Sequence, residues 1–99
     1  MPRAGHSSEE AETIAISALG FIAGDAELLP RFLAITGIEA SSIREAAREP
    51  GFLAGVLDFL LAHEPSLMRF ATETGAEPAS IAEARRMLAN GNDRFEAST

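Results

Sequence analysis

Arginine is the residue type best placed to do chemistry in this chain: all eight basic residues are arginine, set against 15 acids. Two groups of them stand behind a glycine corner. In the first, Gly37 ends an apolar stretch, Ile38 follows it and Ile43 lies six positions beyond, which is the pattern of a helix-turn-helix. The pattern recurs at Gly75, Ala76 and Ile81. A DNA reader must carry hydrogen-bonding side chains and cations on the helix after the corner. Ser41, Ser42, Arg44 and Arg48 could serve in the first copy, and Ser80, Arg85 and Arg86 in the second. Glu39, Glu45 and Glu49 crowd the first set, however, and Glu77 and Glu83 the second. A net charge of −7 also repels phosphate, so both corners read first as ordinary connections between packed helices.

Arg31 and Arg69 form the other suggestive pair. Each lies one residue before a phenylalanine expected in the core, so each flanks that core from the same relative position. The simplest expectation is an intrahelical ion pair, Arg31 with Glu27 and Arg69 with Glu73, worth a few tenths of a kcal/mol. The alternative is that the two arginines belong to a recognition surface.

Catalytic, metal and cofactor sites find no support in the residues. His6 and His63 are isolated, there is no cysteine, and neither histidine has the partners of a metal site. No serine sits in a strand-to-helix nucleophile turn, and no glycine loop is built to hold phosphate. Glu9, Glu10 and Glu12 cluster where a helix starts, where carboxylates complement the helix dipole. The chain is therefore expected not to be an enzyme and to hold no cofactor.

The elements that must position these side chains are all helical. Apolar residues make up 46% of the 99 residues and charged ones 23%, a balance that folds into one globular domain. No stretch alternates with period two, and apolar residues recur at helical spacing. Ser7 with Glu10 forms a capping box for a first helix that stops at Gly24. Asp25 can cap a second helix, with Pro30 in or just past its first turn. Gly37 ends that helix in a Schellman-type closure that folds Ile38 onto Leu33. A third helix covers roughly Ala40 to Arg48. The dipeptides Glu49-Pro50, Glu64-Pro65 and Glu77-Pro78 open three more, since proline suits the first helical turn. His63 is expected at the end of the fourth.

The second half repeats the first at an offset of 38 residues. Laid over residues 57–86, residues 19–48 match at 13 of 30 positions, where composition alone gives about 3. Among the matches are Phe21/Phe59, Arg31/Arg69, Phe32/Phe70, Gly37/Gly75 and Ile43/Ile81. The expected architecture is an all-α, compact bundle of six short helices built from two tandem three-helix repeats, about 14–49 and 52–89, related by a pseudo-twofold axis. The first and fourth helices would pack centrally. Residues 1–6 and 90–99 carry no periodicity and are expected to form a disordered and a flexible tail around a single domain, 7–89.

The strings AETIAISALGFIAGD, RFLAITGIEASSIREAA and EPGFLAGVLDFLLAHE, in that order, resemble a family of small bacterial proteins known only as domain of unknown function 3572. The resemblance covers about residues 11–89 and implies a cytoplasmic bacterial helical protein without an assigned activity. The family pattern has a small or flexible residue where this chain has Pro30. A cytoplasmic location also follows from the residues, because acids precede the apolar stretch 14–24 where a signal peptide needs positive charge, and no 18-residue apolar run exists.

The function expected from these features is that of a protein-interaction or structural module. Its candidate surface is Arg31, Arg69, Arg44, Arg48, Arg85 and Arg86, and its partner a protein or a second copy of the chain, with nucleic acid disfavoured and no membrane involved. The competing expectation is a nucleic-acid binder using the corners at Gly37 and Gly75.

Overall fold

The computed structural model describes residues 8–97. Six α-helices and one 3-10 turn follow in order among them: α1 (Ser8–Ala23), α2 (Leu28–Thr36), the 3-10 turn (Ala40–Ser42), α3 (Ile43–Ala46), α4 (Pro50–Leu61), α5 (Glu64–Thr74) and α6 (Pro78–Ala97). The described residues contain no strand, as the helical periodicity requires. Ser7 of the expected capping box and the tail 1–6 lie outside them. Helix α6 continues to Ala97, past residue 89 where the apolar periodicity stops.

Three helices build the centre: α1, α4 and α6 pack against one another. On α1 the buried line is Ala11, Ala15, Ala18 and Ile22, spaced four, three and four residues apart, so it forms one stripe of the helix. Its alanines let neighbouring backbones approach closely. Helix α4 contributes Leu53, Val56, Leu57 and Leu60, and α6 contributes Ile81, Ala84 and Leu88. Each large side chain of this set removed from water is worth about 1.5–3 kcal/mol. The central pair expected from the repeat, α1 and α4, is thus a trio, because α6 buries its own stripe against both.

The shorter helices are pinned by phenylalanines that cross between the halves. Phe32 of α2 meets Phe59 of α4 edge to face, with ring centroids 5.4 Å apart, and Phe70 of α5 meets Phe21 of α1 at 5.5 Å. Each second helix therefore sends a ring to the first helix of the other half, while its backbone lies against the first helix of its own. Phe52 adds a further edge contact to Phe32 at 5.7 Å.

Both glycine corners are left-handed, with φ of 74° at Gly37 and 79° at Gly75. The Gly37 N–H donates to the Leu33 carbonyl and the Gly75 N–H to the Ala71 carbonyl, both at 2.8 Å. The closure is the simpler αL motif rather than a Schellman motif. The reason is the threonine before each glycine: Thr36 Oγ1 accepts the Ile38 N–H at 3.3 Å while donating to the Phe32 carbonyl, and Thr74 does the same for Ala76 and Phe70. A hydroxyl thus takes the donor that a Schellman closure would use.

The third helices differ. The segment expected as one helix over 40–48 is a single 3-10 turn followed by four α-helical residues, and none of it is fully buried. No single helix among the described residues is long and apolar enough to cross a membrane.

Candidate functional site

Helices α2 and α4 line a groove with a cavity of about 300 Å³. Leu28 and Ile35 from α2, and Gly55, Phe59 and Ala62 from α4, form its apolar walls. Arg31, Thr36, Asp58 and His63 edge it with polar atoms. Leu28, Arg31 and Ile35 lie three and four residues apart, so they share one face of α2. Ile35 is 68% exposed, the largest fraction for any large apolar side chain among the described residues. Gly55 keeps the α4 side open, since a Cβ there would meet nothing within 4 Å.

The electrostatics of the groove are set by two neighbours. Asp58 is held by Arg85 of α6 through two contacts, 2.6 Å from Nε and 3.2 Å from Nη2. His63 is the residue before α5 rather than the end of α4, and its Nδ1 shares a 2.6 Å hydrogen bond with the buried hydroxyl of Ser66. The expected Arg31–Glu27 ion pair does not form, and the Arg31 guanidinium has no carboxylate partner among the described residues.

Arg69 shows what the equivalent arginine does when a carboxylate is at hand. Its Nη2 donates to Asp25 Oδ2 at 2.9 Å, and its guanidinium carbon stands 5.1 Å from the centre of the Phe21 ring. The expected pairing with Glu73 is replaced by this contact across 44 residues of sequence. Asp25 also caps the start of α2, its Oδ1 accepting the N–H groups of Glu27 at 2.8 Å and Leu28 at 2.9 Å. The Leu28 N–H above all, then Arg69 and the Glu27 N–H, hold the Asp25 carboxyl below its ordinary pKa.

The six arginines of the expected surface are thus spread out. Arg31 stands at the groove, and Arg85 reaches its edge through Asp58. Arg69 occupies its own seat on α1, Arg86 pairs with Glu83 one turn away, and Arg44 and Arg48 are exposed in and after α3. Sequence reasoning missed the groove and both long-range pairs. The one signal available was the repeat itself: position 25 is aspartate and its counterpart 63 is histidine, a change of charge at an otherwise matching seat.

Chemically, the groove can bind; its ring nitrogen and carboxylate are each engaged by a neighbour. No three histidine, aspartate or glutamate side chains among the described residues converge on one metal-sized site. No curated protein and no solved structure matches the chain. A family model does match, over residues 8–91, nearly all of the helical region that builds this groove: the chain belongs to the family described as protein of unknown function, DUF3572.

Proposed function

We propose that this chain is a protein-interaction module, without enzymatic activity, that docks a partner protein in the groove between α2 and α4. The observation that carries the reading is an open apolar cavity of about 300 Å³ edged by a highly exposed isoleucine and by an arginine without a counter-ion among the described residues. Apolar grooves rimmed by a few polar groups are the usual anchoring sites for side chains of another chain, and burying Ile35 there would recover the hydrophobic free energy its exposure leaves unused. The alternative, nucleic-acid binding at the glycine corners, draws less support. The helix after Gly37 has only four α-helical residues, and Arg85 and Arg86 are engaged by acids.

The test is a photo-crosslinking residue placed at position 35 and, in a second variant, at position 16 on α1, where Ile16 is also exposed at 52%. Irradiation in the source cell should give a discrete protein adduct from position 35 and none from position 16. Adducts from position 16 alone, or from neither, would exclude this groove as the docking surface.

A further inference from the structure

The two arginine seats differ in one group, and the difference identifies what the groove lacks. In the seat on α1, Arg69 faces Phe21 and receives the carboxylate of Asp25. At the α2–α4 groove, Arg31 and Phe59 are the residues 38 positions away from Arg69 and Phe21, and both line the same cavity. The third member is His63 instead of an aspartate, and its Nδ1 is turned to Ser66. Arg31 therefore shares its cavity with the equivalent aromatic ring and has no carboxylate partner among the described residues. Asp58, the acid that lines the groove, is already held by two donors from Arg85, so among the described residues it is not paired with Arg31.

An apolar cavity beside an uncompensated guanidinium fits a ligand that is apolar with one carboxylate, since the planar fork of arginine pairs best with that group. The length of the site argues for a polypeptide as its source. From Leu28 to Ile35 the stripe climbs seven residues of helix, roughly 10 Å. An extended peptide presents alternate side chains on one face, so three of them span roughly 13 Å, a comparable reach. Resting on the docking function proposed above, we infer that the groove recognises an acidic residue of the partner flanked at alternate positions by apolar ones: the carboxylate takes the place at Arg31 that Asp25 holds at Arg69, and the apolar neighbours sit by Leu28 and Ile35. The overall negative charge of the chain gives no long-range steering to such a partner, so recognition comes from contact, and its ionic part weakens as salt is added because Arg31 is exposed.

The experiment is a titration of the 15N-labelled 99-residue chain, followed by amide chemical shifts, with three probes. These are acetyl-Leu-Ala-Asp-Ala-Leu-amide, the same peptide with asparagine in place of aspartate, and hexanoate. The aspartate peptide should shift the amides of Arg31, Ile35, Gly55, Phe59 and His63. Its affinity should fall about threefold or more with the asparagine peptide and, equally, with the Arg31→Gln chain, as expected for one charge-assisted contact near the surface. Arg69→Gln should leave it unchanged, and the same spectra report that each variant is folded. Equal affinity for the two peptides, or no shift at the groove with either, would overturn the inference. So would hexanoate producing the same shifts at lower concentration than the peptide, which would assign the groove to a free carboxylate instead. In each of these cases a persisting crosslink from position 35 would leave the docking function standing, so the two readings fail separately.

Discussion

The segments after the two glycine corners carry nearly the same residues and fold to different lengths. Ser42-Ile43-Arg44-Glu45-Ala46 lies across a 3-10 turn and the four residues of α3, whereas Ser80-Ile81-Ala82-Glu83-Ala84 lies in the 20 residues of α6. Ile81 and Ala84 are buried in the centre; Ile43 and Ala46 are only half-buried. What separates them lies downstream. After Arg48 comes Glu49-Pro50, and a residue before proline is driven out of the helical region; Glu49 is extended, at φ −95° and ψ 123°. After Arg86 come Met87 and Leu88, which extend the apolar stripe and let α6 pack on both α1 and α4. A motif that occurs twice in the sequence thus fixes a corner, while the residues beyond it decide whether the helix that follows becomes core or connection.

The sharpest break of this comparison is to remove the half that carries α6. Residues 1–49 alone should show no cooperative thermal transition, because α1 loses both α4 and α6 and Phe32 loses Phe59. A sharp melt with dispersed amide resonances from a monomeric half-chain would show that the halves are independent units.

Within the intact chain the two isoleucines should separate clearly. Ile81→Ala should cost about 3 kcal/mol, as for other fully buried large-to-small changes, and lower the melting midpoint by more than about 12 °C. Ile43→Ala should cost about 1 kcal/mol, since that side chain is half exposed and leaves little cavity. Equal losses in chemical or thermal melts would mean that α3 carries as much of the core as α6.

The corners themselves should behave alike. Gly37→Ala and Gly75→Ala should each destabilise by about 1–2 kcal/mol, because a Cβ resists the left-handed conformation although space is free around both. Gly55→Ala on α4 should go the other way, stabilising by up to about 1 kcal/mol, since it lies inside a helix with open space around it. Melts of the three variants decide between a backbone cause and a packing cause.

The two arginine seats can be made more alike by one substitution. His63→Asp places a carboxylate before α5, facing the groove that Arg31 lines, as Asp25 does for Arg69. The stability change should stay within about 1 kcal/mol, as for an exposed pair at a helix start, while groove binding of the aspartate peptide is lost. Unchanged peptide binding would separate Arg31 from the carboxylate it is proposed to receive.

The smallest effect concerns acid. The folded Asp25 carboxyl lies below its unfolded value, which is about 4. Its stabilisation is therefore complete above that unfolded value and disappears as the pH falls through the folded one. Between about pH 5 and pH 2 the melting midpoint of the unaltered chain should fall more than that of Asp25→Asn. Parallel acid limbs would show that the Leu28, Glu27 and Arg69 contacts bind the charged form no better than the neutral one.

Starts and stops of helices were legible in the sequence because they are decided within four or five residues. Gly24 and Gly37, the Glu-Pro dipeptides before α4 and α6, and the cap at Asp25 each act on backbone groups next to them. The closure at Gly37 was misread one step further in, since a threonine hydroxyl competes for the same N–H and only its rotamer settles the contest. The groove was not legible. It is assembled from residues of α2 and α4 that lie far apart in the chain, and its electrostatics depend on Asp58 meeting Arg85 across 27 residues.

By itself, then, the sequence determined an all-helical chain, its corners and the identity of its apolar stripes, all consequences of local backbone preference and of period. Tertiary packing decided that α6 joins α1 and α4, that Arg69 abandons Glu73 for Asp25 and that Arg31 has no carboxylate partner among the described residues. Those outcomes depend on distances between segments far apart in the chain. A guanidinium on a long flexible stem selects among carboxylates by which one the packed helices bring within reach, and neighbours along the helix offer it only a few tenths of a kcal/mol to stay.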